Sequence, residues 1–361
     1  MKQNKKILIN GCFLCRQLTG IERYAYEITT RLDNLISHHE VAIIFPANTI
    51  NIPNYKNLEV IIHKKKIYST FYWQHITLQS FLLKHKQYMV LDFSNTALPF
   101  APGIVFLHDI YCEFYKEDFN GLRDKLVQIY NKLEYRLIAY RAKKIATVSN
   151  FSKNQIAETY HIDPDKISVI YNGWDHFKEI KSDYSIFEDY PALLEKPFYF
   201  SLGSISKRKN IQWIVKYATK NPDAFFAISG GELPTTKDSN VNNAVLLENI
   251  MLLGYLSDEK VKALMEKCTA FILPSYYEGF GIPPLEALSC GAQIIIANAA
   301  SLPEIYGNTA HYIDPFNTDV DLNTLLQEPV ERPTTILKKY SYDTSAQKVF
   351  ELLSFTTGKP H

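Results

Sequence analysis

Two glutamates bracket the run Ser275-Tyr276-Tyr277-Glu278-Gly279-Phe280-Gly281-Ile282-Pro283-Pro284-Leu285-Glu286. Gly279 and Gly281 let backbone N–H groups come close to an anion at the mouth of a helix, and Pro283 or Pro284 suits a first helical turn. Glu286, about a turn further along, can point back to that mouth, where a carboxylate accepts hydrogen bonds from the two vicinal hydroxyls of a ribose. Glu278, on the loop, can meet the hydroxyls of a sugar. Acids near a first helical turn are also common because the helix dipole favours them, so the pair alone does not fix the chemistry.

A second cluster reads Phe200-Ser201-Leu202-Gly203-Ser204-Ile205-Ser206-Lys207-Arg208-Lys209-Asn210-Ile211, an apolar strand, a glycine turn and three cations opening a helix. A diphosphate leaving group gains charge as its bond breaks, and fixed cations with helix N–H groups stabilise that state. A Lys-Arg-Lys run is usually a solvated surface; its place directly after a strand is what argues for an anion site. Thr19-Gly20-Ile21-Glu22-Arg23-Tyr24 and His108-Asp109 also follow apolar runs. A histidine at a strand end is often structural, and Asp109 either orients its ring or caps the next segment. Ser149, Ser152 and the Asn172-Gly173 pair read mainly as caps and turns.

The elements that must position these residues form an α/β pattern, short runs of Val, Ile and Phe alternating with helical periodicity. Strands are expected at 6–10, 41–46, 58–63, 89–93, 104–108, 145–149 and 167–171, then at 198–202, 224–229, 250–254, 270–273, 293–297 and 311–313. A chain of 361 residues exceeds the size at which one core usually stops growing. Two Rossmann-like domains are expected at 1–178 and 197–339, with a linker at 179–196. A last amphipathic helix in 340–361 is expected to lean back towards the first domain. Ligands of such sheets sit at the carboxyl ends of the strands, where the clusters above, together with Gly230 and Gly231, fall.

The Glu278 to Glu286 segment resembles the E-x7-E motif of retaining glycosyltransferase family 4, and Gly203 to Asn210 resembles that family's phosphate loop. The Gly20 loop, His108, the Ser149 turn and the Asn172-Gly173 turn follow in family order, so the resemblance runs from Gly11 to Pro315. It implies a GT-B fold with the active site in the cleft between the domains. It further implies a nucleoside diphosphate sugar as donor, with Glu278 handling the sugar and Glu286 the ribose. Lys209 would meet the diphosphate with Arg208 as helper, while Gly203, Gly279, Phe280 and Gly281 line the pocket. Gly20 would face donor and acceptor and His108 the donor sugar. Ser204 stands where many members have Arg, leaving Arg208 or Lys207 to supply that charge. The implied reaction is a front-face hexosyl transfer to a glycan hydroxyl, the departing phosphate acting as base, with no metal or other cofactor required. By the same analogy the acceptor is a lipid-linked glycan in bacterial surface polysaccharide assembly.

Other classes are less well served. A net charge of +1 gives no global field for nucleic acid. No apolar run reaches the roughly 20 residues of a membrane span, and the start of the chain reads as a strand rather than a signal peptide. Five cysteines, an odd count, suggest reduced thiols in a cytoplasm, and Cys12-x2-Cys15 lacks a second metal-binding pair. A metal-dependent GT-A enzyme needs an Asp-x-Asp after a central strand, and neither Asp163-Pro-Asp165 nor Asp319-Val-Asp321 lies there. A sugar-nucleotide epimerase and a noncatalytic subunit are the remaining alternatives. The stretch from Lys64 to Lys84 mixes lysines with aromatic and aliphatic residues at helical spacing. It would either rest peripherally on an anionic membrane at its cytoplasmic face or bury Phe71, Leu78 and Leu82 in its own domain. UDP, TDP and GDP donors all remain open.

Overall fold

The structure, a computed structural model, describes residues 5–18, 20–203, 206–230 and 247–357. The chain divides into two units, 1–173 with 340–361, and 174–339. In the first, seven strands form one sheet: β1 (Lys6–Asn10), β2 (Val41–Phe45), β3 (Glu59–Ile62), β4 (Tyr88–Asp92), β5 (Ile104–Phe106), β6 (Lys144–Thr147) and β7 (Ile167–Val169). Their order is β3-β2-β1-β4-β5-β6-β7. In the second, six strands follow: β8 (Phe198–Leu202), β9 (Phe225–Ser229), β10 (Ile250–Gly254), β11 (Ala270–Leu273), β12 (Gln293–Ala297) and β13 (His311–Ile313). Their order is β10-β9-β8-β11-β12-β13, and the pairings in both sheets are parallel.

Parallel strands covered by helices on both faces cannot alternate apolar with polar, and β2 and β9 are buried at all five positions. The edge strand β3 instead leaves Val60 and Ile62 exposed. Every expected strand is present, with some ends shifted by one or two residues; β5 stops at Phe106, so His108 sits on the loop beyond it. In each sheet the order reverses beside the first strand, between β1 and β4 and between β8 and β11. At such a reversal the loops leaving adjacent strands diverge and open a crevice for a ligand.

The terminal helix, Tyr342–Thr357, belongs to the first unit, where Tyr342, Ala346, Val349, Leu352 and Leu353 join one core with Tyr24, Ala25, Ile28 and Leu32 of the helix Ile21–Leu35. Arg31 Nε lies 2.7 Å from Asp343 Oδ1, and Ser345 Oγ donates to the Tyr171 carbonyl at 2.7 Å. Residues 179–196 fall in the second unit and carry two short helices, Ile186–Asp189 and Ala192–Glu195. They are tied to the helix Asp258–Lys267 by the Asp183 N–H on the Glu259 carbonyl, 3.0 Å, and by Tyr184 OH on Glu266, 2.6 Å.

The overall charge conceals a division. Lys and Arg outnumber Asp and Glu by 24 to 17 in the first unit, leaving +7, and are outnumbered by 15 to 21 in the second, leaving −6. Among the described residues no helix is long and apolar enough to cross a membrane.

Leu353→Ala will leave a hole between the terminal helix and Ile21–Leu35. A loss of about 2–4 kcal/mol is expected. It would be read as a lower urea midpoint, at unchanged slope, for the transition of the first unit.

Candidate active site

In the second unit β8 ends and the chain turns at Gly203, against Gly230 at the end of β9. The two backbones touch. Gly230 has φ +124°, and a Cβ on it would stand 2.1 Å from the Gly203 carbonyl oxygen, so only glycine fits. Ser204, Ile205 and Gly231, all considered from the sequence, lie outside the described residues, as does Thr19. Lys207–Lys209 makes a single 3-10 turn that Asn210 ends with φ +57°. The Asn210 amide donates to the carbonyls of Pro274, 3.0 Å, and Pro315, 2.7 Å. One side chain thus fastens the loop after β8 to those after β11 and β13.

That fastening brings the cations to Glu278. Lys209 Nζ is 2.7 Å from Glu278 Oε1 and an Arg208 guanidinium nitrogen is 3.3 Å from Oε2. Glu278 is only 5% exposed. Burial alone would push its carboxyl up, but Lys209 and Arg208 outweigh burial and hold it below the ordinary value. The loop itself is held by Ser301 Oγ donating to the Glu278 carbonyl, 2.9 Å, and by Tyr306 OH donating to the Gly281 carbonyl. Gly279 and Phe280 are buried in this turn. Gly281, φ +82°, then opens the helix Ile282–Ser289 with the two prolines in its first turn. Glu286 is buried on that helix, and His176 Nε2 lies 3.2 Å from its Oε1. Sequence reasoning did not single out His176, because nothing in its spacing ties it to a helix so far along the chain. Asn210 likewise carries no role in the sequence alone.

In the first unit Gly20, φ +48°, precedes the helix Ile21–Leu35, and its carbonyl accepts from the Tyr24 N–H at 3.0 Å. The Tyr24 ring meets His108 edge-on at 5.3 Å. His108 is buried, with Nε2 3.0 Å from the Phe93 carbonyl oxygen. A carbonyl can only accept, so Nε2 carries the proton and Nδ1 is left as an acceptor. Burial lowers its pKa to about 4 against the smaller, opposing pulls of the Phe93 carbonyl and Asp109, which leaves the ring neutral near pH 7. Asp109 caps the following segment, accepting from the Tyr111 N–H at 3.1 Å, and Ser149 caps Asn150–Tyr160 by accepting from the Ser152 N–H at 3.0 Å.

At the switch point of the same sheet a cavity of about 610 Å³ is lined by Arg16, Ser94, Thr96, Phe71, Leu122 and Leu126 among others. The basic stretch beside it is only partly buried in its own domain. Leu78 and Leu82 are buried, but Phe71 is exposed and Trp73 is buried. The reason is the π-helical run Trp73–Leu78, whose wider turn rotates the preceding residues away from the face that a regular helix would give them. The two Asp-x-Asp triplets serve locally: Asp163 and Asp321 cap the turns that follow them, and Asp319 pairs with Lys220 at 2.7 Å. The five cysteines are free thiols, and Cys15 Sγ lies 3.1 Å from Thr49 Oγ1.

Two parallel-sheet α/β units of seven and six strands define the GT-B class of glycosyltransferases. Residues 18–176 match the family described as Glycosyltransferase Family 4, and residues 184–333 match Glycosyl transferases group 1. The chain is 26% identical over 343 residues to O-antigen chain mannosyltransferase B of Escherichia coli, covering 86% of this chain and 87% of that one. It is 27% identical over 252 residues to the O-antigen chain mannosyltransferase RfbU of Salmonella typhimurium, 67% of each chain. Among solved structures, HepE of Anabaena in complex with UDP and glucose superposes with a TM-score of 0.69 at 16% identity, over 97% of this chain and 99% of that one. The chain is a glycosyltransferase, belonging to family 4 through its first unit and to the group 1 glycosyl transferases through its second.

Two outcomes follow from these geometries. In Lys209→Met, Glu278 keeps its burial and loses its nearer cation while Arg208 remains, so about 3 kcal/mol of stability is expected to go at pH 7. The lowered carboxyl stabilises the wild type fully above the ordinary value of 4.5, and that stability is lost progressively as pH falls from 4.5 through the lower folded value. Urea titrations at pH 7 and pH 4 should therefore show the variant's deficit shrinking on the acid side, and the added change Glu278→Gln should recover most of it at pH 7.

For His108 the unfolded chain takes up a proton at the ordinary 6.5 while the folded chain waits until about 4. Stability from this group is complete above 6.5 and falls by about 3 kcal/mol as pH drops to 4. His108→Gln should flatten that part of the stability profile. An unchanged profile would show that the ring is not held neutral.

Proposed function

We propose that the protein transfers a hexosyl group, with retention of configuration, from a nucleoside diphosphate sugar to a hydroxyl of a lipid-linked glycan during assembly of a bacterial surface polysaccharide. The observation that carries this reading is the cluster of Lys209, Arg208 and Glu278 at the β8/β11 switch point, with Glu286 one helical turn away. In this reading Lys209 and Arg208 meet the diphosphate, assisted by N–H groups at the mouth of Ile282–Ser289. Gly203, Gly279, Phe280 and Gly281 shape the pocket, Glu278 accepts from hydroxyls of the donor sugar, and Glu286 accepts from the ribose. His108, neutral and with Nδ1 as an acceptor, suits a sugar hydroxyl. Gly20, which has open space at the position of a Cβ, suits close approach of a substrate.

Glu278 is committed to two cations, which makes it a poor nucleophile. Front-face substitution then fits best: the leaving phosphate oxygen takes the proton of the acceptor hydroxyl as the new glycosidic bond forms on the same face. The protein's own cations balance the diphosphate, so no metal enters this reading. The similarity to two O-antigen chain mannosyltransferases supports testing a mannosyl donor first and a polysaccharide acceptor.

Contact with an anionic membrane at its cytoplasmic face is supported by the +7 charge of the first unit and by its exposed apolar side chains. Leu122, Leu126 and Leu133 of the helix Leu122–Arg141 are exposed, as are Phe71 and Tyr68 in the basic stretch.

Calorimetry with UDP, TDP, GDP and their sugar conjugates, without added metal, tests the central reading. One nucleotide should bind, and Lys209→Ala and Glu286→Ala should each weaken it by roughly tenfold or more. Binding of none, or only with Mg²⁺, would overturn the assignment. Consumption of the sugar nucleotide without any acceptor would favour an epimerase instead.

A further inference from the structure

We propose that His176 is a positioning residue for Glu286: it fixes the carboxylate that receives the ribose and so sets the preference for a ribonucleotide over a 2′-deoxyribonucleotide. This rests on the reading of Glu286 as the ribose acceptor. The pair is close, His176 Nε2 to Glu286 Oε1 at 3.2 Å, and both side chains are nearly closed to solvent, 6% and 11% exposed.

The imidazole is presented by a fixed backbone. His176 sits in the single 3-10 turn Asp175–Phe177, whose Phe177 is buried. Lys262, on the helix Asp258–Lys267, donates to the carbonyls of Phe177, 3.0 Å, and Ile180, 2.7 Å. On the other side of the turn the Trp174 indole donates to the Leu337 carbonyl at 2.8 Å. Glu286 is fixed in turn by the helix that Gly281 opens.

A glutamate's terminal torsion is broad, so a carboxylate on a well-placed backbone still turns freely unless something holds it. Its two oxygens offer about four lone-pair sites. With its proton on Nε2, 3.2 Å from Oε1, His176 would occupy one of them and stop that rotation, while sites on both oxygens remain for the two hydroxyls of a ribose. The ordering is done before the nucleotide arrives, which is where preorganisation raises affinity. His176 pairs with Glu286, whereas Lys209 and Arg208, the cations of the proposed diphosphate site, pair with Glu278. Its effect should fall on the ribose and not on the phosphates.

The test uses the full chain and whichever ribonucleoside diphosphate, UDP or GDP, it binds better, with the 2′-deoxy form of that nucleotide as control; tightest binding of TDP, which has no 2′-hydroxyl, would overturn the ribose reading and this inference together. His176→Ala is expected to weaken the ribonucleotide roughly tenfold and the deoxynucleotide little, so the ratio of the two Kd values collapses. The KM for the donor should rise while kcat stays within about twofold. His176→Gln, which restores an N–H donor at similar reach, should recover the ratio, and thermal unfolding checks that both variants are folded. Equal weakening of both nucleotides, or a wild-type ratio in His176→Ala, would overturn the inference and leave the donor site standing. A wild-type ratio in Glu286→Gln, or a wild type that binds no nucleoside diphosphate, would overturn the ribose reading and this inference with it.

Discussion

A carboxylate taken out of water must be met by positive charge, and Glu278 is met by Lys209 and Arg208, which arrive on a different loop from a different strand. Much of the second unit's local structure serves that meeting. The contact of Gly203 with Gly230 sets where the chain leaves β8, Asn210 fastens the cation turn to the loop after β11, and Ser301 and Tyr306 hold the glutamate loop from behind. A buried ion pair is a weak source of net stability, because desolvation consumes most of the Coulomb gain. Its consequence is positional: two cations stand side by side at the switch point, and a diphosphate in the proposed reaction meets them there without ordering them first.

The first unit handles its polar group the opposite way. Among the described residues no carboxylate is in hydrogen-bond contact with the buried His108, so burial wins and the ring stays neutral. The Phe93 carbonyl fixes the tautomer and Tyr24, one turn into the helix that Gly20 opens, fixes the ring's plane. Charge in one unit and neutrality in the other are both set by what lies within about 4 Å of the group, far more than by net charge.

The fold was legible because strands covered on both faces read as unbroken apolar runs, and a run such as Val41–Phe45 is long enough to cross a sheet but too short for a buried helix. Strand ends were less legible: Leu107 is fully buried and apolar, so it continues the run, yet β5 has already ended at Phe106. Lys209, Glu278 and Glu286 stood out because each follows a strand in a recognisable order. That Lys209 and Glu278 bind each other was not legible, since their strands become neighbours only when β11 inserts beside β8. His176 was missed for the same reason. The stretch from Lys64 to Lys84 fails differently: a π-turn adds a residue to the period, and a 3.6-residue reading then puts Phe71 on the wrong face.

A net charge of +1 suggested that no long-range field exists, yet the units carry +7 and −6. The nucleotide-sugar unit of the proposed reaction is therefore the acidic one. Its field is unfavourable to an anionic donor at long range, but screening limits that field to about 8 Å at physiological ionic strength. Within that distance the adjacent Lys207, Arg208 and Lys209 govern, so the unit's acidity does not count against the proposed diphosphate site. The basic unit has its cations spread over a surface that also exposes leucines, a combination suited to an anionic lipid interface rather than to one small anion. In the proposed reaction the separation of the two signs would keep the tasks apart, since an anionic surface that attracts a unit of +7 repels one of −6.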